Sequence, residues 1–300
     1  MKTWLGIDIG GTSIKAGRVA ADGSVLERKS IPTPRSLEEF RAALPALAAS
    51  AGGDLAEGAG IGCKGLLDPE SSRVLVSPGP VVYLEGHQLS VLAGLRCPVT
   101  ADNDARAALA GEVAWGAARG LRNALMFTLG TGVGGGILSD GRIVRGATGV
   151  AGHLGHVTID PDGGPCICGN RGCLETVFSA RAIEAQAWSA GHRSLATVLR
   201  GQPSCADVFA AADAGDAVAA YIVDRATFHL AAAIAGLMLA LDPEAVILGG
   251  NIAAAGARFW TALDEGIRDR THVMLPRRVP LVRAAVDDGV MGAAALAATR

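Results

Sequence analysis

Apolar positions come in short unbroken blocks near the start of the chain. Trp4-Leu5-Gly6-Ile7-Asp8-Ile9 shows no helical period and stops at Gly10-Gly11-Thr12, so it predicts a buried strand. The next segment is not a helix. Ser13 to Ala20 predicts a second strand, and Ala21-Asp22-Gly23-Ser24 is a turn before a third strand opens at Val25-Leu26. Ser36 to Ala51 has helical spacing, with Ser36 as N-cap and Glu38-Glu39 in the first turn. A strand over Gly58 to Cys63 leads into a loop rich in Gly, Pro and Ser up to about Gly86. Pro98-Val99-Thr100-Ala101 is a short strand, and Asn103 or Asp104 caps an alanine-rich helix to about Ala118.

The pattern then restarts. Ala124 to Leu129 is an apolar strand ending in Gly130-Thr131-Gly132-Val133-Gly134-Gly135-Gly136; Ile137-Leu138, a Ser139-Asp140-Gly141-Arg142 turn and Ile143-Val144 come next. Strand, glycine turn, strand, Asp-Gly turn and strand thus occur twice. Two copies of one unit predict a duplicated α/β fold with a cleft between lobes. The remainder reads as helical over Ala180 to Trp188, Cys205 to Ala212 and Asp216 to Leu241, with a last strand at Ala245 to Leu248, closed by Gly249-Gly250-Asn251, and a terminal helix at Gly289 to Thr299. The longest apolar run, Leu230 to Leu241, has twelve residues. As a helix it covers roughly 18 Å, against about 30 Å of bilayer hydrocarbon, so it predicts a buried core helix.

Composition narrows the classes. Half of the 300 residues are hydrophobic and 19% are charged, which suits a well-buried globular enzyme large enough for two lobes. A net charge of −2 gives no reason to expect a nucleic-acid or membrane-surface partner. The N-terminal apolar block meets Asp8 too early for a secretory signal, so a cytoplasmic protein is expected. Three of the six cysteines, Cys166, Cys168 and Cys173, crowd into eight residues, while Cys63, Cys97 and Cys205 are scattered. In a reducing compartment the cluster points to metal and the others to small apolar packing.

The chemistry concentrates in four places. Asp8-Ile9-Gly10-Gly11-Thr12 presents an acid, side-chain-free amides and a hydroxyl at a strand end, the makings of an anion-binding nest; a tight hairpin without a ligand is the plain alternative. Gly130 to Gly136 contains a literal G-x-G-x-x-G, but a hairpin comes where a dinucleotide fingerprint needs a helix, and Val150 stands where its acid belongs. No Gly-Lys-Ser/Thr follows either cluster, so a P-loop fails too. Asp102-Asn103-Asp104 places an amide between two acids just before a helix, which is either plain N-capping or a carboxylate base for a hydroxyl. His156 precedes Cys166 by nine intervening residues, Cys168 and Cys173 come just after, and one imidazole with three thiolates is a closed tetrahedral set, the usual composition of a structural zinc site. A catalytic metal on the pair His153 and His156 carries little weight, because the cysteines already claim one of them.

Two hairpin-type phosphate loops match the architecture of sugar kinases, Hsp70 and actin. Within it the chain resembles the ROK family of bacterial sugar kinases and repressors. The resemblance rests on Asp8 to Thr12, Asn103-Asp104-Ala105, Gly130 to Gly136, the Gly-His and cysteine block, and Leu248-Gly249-Gly250. It implies a two-lobed actin-like ATPase fold, a duplicated ribonuclease H-like unit with a central cleft. A small lobe would cover residues 1–104 plus the C-terminal helix 290–300, and a large lobe 105–289 would carry the zinc loop and most of the nucleotide site.

The resemblance also implies roles. Gly10, Gly11 and Thr12 would hold one end of the ATP phosphates and Thr131, Gly132, Gly134 and Gly135 the other. Gly249 and Gly250 would lie near the adenosine, and Asp8 near Mg²⁺. Asp104 would be the general base, with Asn103, His153, His156 and Glu175 as sugar ligands and zinc on His156, Cys166, Cys168 and Cys173. Lobe closure would bring Asp104 to a hexose hydroxyl, O6 in a glucokinase-like reaction, with N-acetylmannosamine or N-acetylglucosamine as the alternative substrate. Zinc loss would then raise the sugar KM more than it disturbs ATP. A homodimer is what the family leads one to expect, and polyphosphate donors also occur in it. Three positions depart from the family pattern: His153 stands for a usual Glu, Gly79 for a usual Asn and Lys64 for a usual Pro. Family repressors carry a helix-turn-helix before the first strand, whereas here that strand begins at residue 4, so a kinase is expected; a sugar-binding protein without catalysis is the remaining rival.

Overall fold

The computed structural model describes residues 2–193, 196–286 and 288–299. The first half runs β1 (Thr3–Ile9), β2 (Ser13–Ala20), β3 (Val25–Pro32), α1 (Leu37–Ser50), β4 (Gly58–Cys63), β5 (Leu66–Leu67), β6 (Val74–Val76), α2 (Leu89–Leu92), β7 (Val99–Asn103) and α3 (Asp104–Trp115). The second runs β8 (Ala124–Leu129), β9 (Val133–Ser139), β10 (Arg142–Ile143), α4 (Ala180–His192), α5 (Cys205–Asp213), α6 (Ala217–Leu241), β11 (Ala245–Gly249), α7 (Ala257–Thr271), β12 (Leu281–Arg283) and α8 (Gly289–Ala298).

Both halves build the same sheet. The first has the order β3-β2-β1-β4-β7 and the second β10-β9-β8-β11-β12. Counted within its own sheet, each is 3-2-1-4-5. In the first sheet β1, β2 and β3 are antiparallel neighbours while β4 and β7 run parallel to β1. The carboxyl ends of β1, β4 and β7 therefore lie side by side, with Cys63 paired to both Ile9 and Asn103. Loops at such strand ends are where α/β sheets place ligands.

Close packing explains part of the glycine content. A Cβ on Gly6 would fall inside the backbone of Val290, and one on Gly60 inside that of Ala293. Glycine on β1 and β4 lets α8 lie directly on the sheet, where Val290, Ala293, Ala294 and Leu296 are buried. On α6, Ile222, Val223, Leu230, Ile234 and Met238 are buried. The apolar run from Leu230 is thus the last part of a 25-residue helix, the one helix among the described residues long and apolar enough to cross a bilayer; 56% of its most apolar stretch is buried in protein.

The chain folds as two compact units: Met1–Met126, Gly136–Gly152 and Ala284–Arg300 form the first, and Phe127–Gly135 with His153–Arg283 the second. The division differs from the expected boundary at residue 104. Helix α3 stays in the first unit because Ala107 and Ala110 are buried in one cluster with Ala295 and Leu296 of α8. It also ends at Trp115 rather than near Ala118, since the fully buried Glu112 side chain turns back and accepts from Ala117 N at 2.6 Å.

Candidate active site

The first unit assembles an acidic site at the ends of β1 and β7. Asp8 is the penultimate residue of β1, and Gly10 and Thr12 lie in the turn beyond it, closed by Gly10 N donating to Ser13 O at 3.1 Å. Thr33, just beyond β3, braces this turn twice: its hydroxyl donates to Gly10 O (2.7 Å) and its amide to Thr12 O (3.0 Å). Burial, together with the Asp104 and Asp288 carboxylates, pushes Asp8 up to about 6 against the pull of Lys15. Several acids competing in one partly buried place repel one another, and a bound cation would relieve that repulsion. Cys63 lies under the same group: burial, then the Asp104 and Asp8 charges, push its thiol far upward, so it is an inert packing residue.

The Asp102-Asn103-Asp104 string divides its tasks. Asn103 caps α3, its Oδ1 accepting from Ala105 N (3.0 Å) and Arg106 N (3.4 Å), while its Nδ2 donates to Gly65 O (3.0 Å). The amide is buried, and Gly65 O takes one of its two N–H donors. Asp104 is the first residue of α3 and is exposed. Asp102 is buried and takes Arg106 Nε at 2.6 Å and Arg145 Nε at 2.7 Å. Arg106, only 1% exposed, also donates to Gly149 O and Ala151 O (2.9 and 2.8 Å), so Asp102 ties the 145–151 loop to the root of α3. Neither arginine was a sequence candidate; the i,i+4 spacing of Asp102 and Arg106 was the available signal.

The second unit carries the other glycine turn. It is shorter than the glycine run, because Gly134, Gly135 and Gly136 are already in β9. Gly135 is buried under Leu154, whose Cγ would be 2.6 Å from an added Cβ, so its missing side chain serves packing. The turn itself is Gly130-Thr131-Gly132, with Thr131 exposed and Gly130 N donating to Gly132 O at 3.0 Å. Glu175 accepts from Val133 N at 2.8 Å through Oε2, and a Cβ on Gly132 would collide with that oxygen. Gly249 ends β11, and Gly250 (φ +83°) packs on the backbone of Leu129, which puts the β11 loop beside the start of the turn.

Beside it lies the cysteine loop. His156, Cys166, Cys168 and Cys173 bring one donor atom each to within 4.8 Å of one another. His156 Nδ1 is 3.5 Å from Cys166 Sγ, and Cys168 Sγ is 3.6 Å from Cys173 Sγ. A tetrahedron with metal–sulfur bonds of about 2.3 Å has edges of about 3.8 Å, so four donors at these spacings suit a tetrahedral cation. Burial, before all else, pushes the Cys173 thiol up to about 12, and a cation is what would let it stand as thiolate. Because Nδ1 faces the cysteines, the other ring nitrogen of His156 points elsewhere. His153 caps the short turn Leu154–His156, its ring stacked on that of His156 with centroids 6.4 Å apart.

Known proteins share both the motifs and the fold. The model of the ROK family matches residues 4–300. The chain is 35% identical to a glucokinase of Thermotoga maritima, over 97% of this chain and 96% of that protein. It is 34% identical to an N-acetylmannosamine kinase of Citrobacter koseri, over 98% of both. The crystal structure of a ROK family glucokinase from Streptomyces griseus, in complex with glucose and AMPPNP, superposes with a TM-score of 0.80 at 32% identity, covering 99% of this chain and 100% of that one. The shared fold is the actin-like ATPase type of sugar kinase fold, in keeping with the repeated 3-2-1-4-5 sheet. With its family model matched along nearly the whole length and relatives above 30% identity end to end, the chain belongs to the ROK family.

Proposed function

We propose that this protein transfers the γ-phosphoryl group of ATP to a hydroxyl of a hexose, O6 in a glucokinase-like reaction. The observation that carries the reading is Asp104: an exposed carboxylate at the root of α3, at the end of a parallel strand, with Asp102 and two arginines holding that root in place. Asp104 accepts the proton of the acceptor hydroxyl as the new O–P bond forms and the bond to the ADP oxygen breaks. Each glycine turn has backbone amides of the kind that would hold phosphate oxygens, and Gly249 and Gly250 would border the nucleotide. Asp8 would face Mg²⁺, and that ion would neutralise phosphate charge. Zinc on His156 and the three cysteines is structural, since a closed donor set leaves no position for water. His153, His156 and Glu175 contribute to the sugar side, with Asn103 acting chiefly as the cap that aims Asp104. Thiols that must stay reduced to hold metal suit the cytosol, and a homodimer is the expected assembly.

A second substrate class, N-acetylmannosamine or N-acetylglucosamine, is supported by the similarity to an N-acetylmannosamine kinase. A coupled ADP-release assay over glucose, mannose, fructose, allose and both N-acetylhexosamines separates the readings. Turnover is expected with at least one hexose, and Asp104→Asn should lower kcat by about 10²–10⁴ while the variant stays folded. No turnover of any sugar would sink the kinase reading; undiminished turnover by Asp104→Asn would sink the base.

A further inference from the structure

The two glycine turns occupy the same place in the two sheets but are not held in the same way. In the first sheet β3 has eight residues, its last, Pro32, pairs with Ser13, and Thr33 beyond it grips the turn. Its counterpart β10 has two residues and pairs only with Ser139 and Leu138. A strand that short ends well before residues 130–133. Among the described residues, no strand after β9 reaches the second turn as β3 and Thr33 reach the first.

The segment after the last cysteine takes that place. Two residues beyond Cys173, Glu175 accepts from Val133 N at 2.8 Å. Seven beyond, Ala180 N at the start of α4 donates to Gly130 O at 2.9 Å. Both ends of the turn are thus tied to one short stretch of chain. The other side of the metal loop presses on it as well. Gly155, next to the ligand His156, has no room for a Cβ over Val133 O, and Leu154 covers Gly135. Cys173 is itself secured by Leu174 N donating to Val157 O (2.9 Å) and Thr176 hydroxyl to Cys173 O (2.7 Å). A hydrogen bond from a backbone amide to a carboxylate is stronger than one to a neutral oxygen.

We propose that the segment Cys173–Ala180 is a clamp that sets the backbone of the second glycine turn, with Glu175 as its positioning residue, so that the metal loop governs donor-nucleotide binding as well as the sugar side. The proposal rests on the kinase reading for the identity of the ligand, and on the hydrogen bonds above for the clamp. Glu175 acts through Val133 N, which fixes the direction of the amides at Thr131 and Gly132. It adds an effect on the donor nucleotide to the expectation that zinc loss would be felt mainly at the sugar. A carboxylate that served the sugar alone would leave the exchange of the Val133 amide unmoved.

The test uses full-length, metal-loaded protein and the variants Glu175→Ala and Glu175→Gln, with metal content and thermal unfolding measured on each. Amide hydrogen exchange is followed at Gly130–Val133 and, as internal control, at Gly10–Thr12; affinities for a non-hydrolysable ATP analogue and for glucose are measured separately by calorimetry. Glu175→Ala should speed exchange at Val133 and weaken nucleotide binding by about tenfold to a hundredfold, with no change at Gly10–Thr12. Glu175→Gln keeps an accepting oxygen and should recover most of both. Unchanged Val133 exchange in Glu175→Ala, or nucleotide affinity intact while glucose affinity falls, overturns the clamp. So does a folded, metal-loaded Glu175→Gln that behaves like Glu175→Ala. If the wild type bound no adenine nucleotide, the kinase reading would fall, and the exchange measurement would still decide whether the clamp exists.

Discussion

Set side by side, the two glycine turns show how one duplicated unit comes to need different supports. The first is local: Thr33 reaches it from the next strand of the same meander, and the acid two residues before its first glycine is Asp8. The second is held from a distance by Glu175 and Ala180, and the matching position before it is Thr128, a neutral hydroxyl. A long outer strand makes the first turn self-sufficient. Shortening that strand to Arg142–Ile143 leaves the second dependent on a metal loop. What the first turn has instead is charge, and charge brings its own instability.

Removing the metal should separate the two most sharply. Structural zinc in small peptides is worth about 10–16 kcal/mol of apparent folding free energy, so its loss dwarfs any single hydrogen bond. Chelation, or Cys173→Ser, should abolish exchange protection at Gly130–Val133 and lower the unfolding temperature, while Gly10–Thr12 keeps its protection. Equal loss at both turns would mean that they are not independently braced.

Asp8 should give a smaller effect with a definite sign. Its carboxyl stands at about 6 in the folded chain against 3.8 when unperturbed, so the folded state holds this proton more tightly than the unfolded state. Stability tied to Asp8 therefore rises as pH falls from about 6 to about 4. Above that window the ionised group costs on the order of 3 kcal/mol. In Mg²⁺-free buffer Asp8→Asn should be more stable than wild type at pH 7.5, with the gap closing by about pH 4, even as the variant loses activity. A difference in unfolding temperature that did not vary with pH would refute the electrostatic account.

Thr33→Val is the mildest probe. It deletes one hydrogen bond to Gly10 O and keeps the backbone bond to Thr12, a cost of about 0.5–1.5 kcal/mol. Nucleotide affinity should weaken a few-fold with metal content and Val133 exchange unchanged; a shift at Val133 would couple the two turns.

Motifs made of neighbours in the chain were legible. The strand–turn–strand repeat appears as expected, Ser36 and Asn103 cap their helices, and the four metal donors picked out by spacing do meet within 4.8 Å. Other elements were missed. The apolar spacing of Phe259, Leu263 and Ile267 marks α7, whose buried face they form, but that helix was not among the expected elements. β12 is three residues long and gains its identity only by pairing with β11. Gly134 and Gly135 were read as turn because glycine has no strand signature, whereas Leu154 decides that Gly135 belongs to a packed strand. The return of the C-terminal helix to the first unit was legible, but the place of α3 was not, since α3 joins that unit through α8, far away in sequence.

Sequence alone determined what depends on residue type at short range: two glycine turns at strand ends, an acid string at a helix start, a four-donor metal set, and with them the family. Only the tertiary structure decided which groups serve which partner. That the Asn103 Oδ1 caps α3, that Asp102 is locked between two arginines, and that Glu175 reaches back to Val133 are pairings set by the packed chain. A carboxylate or an amide can satisfy many partners, and only the packed fold brings one of them within hydrogen-bonding distance.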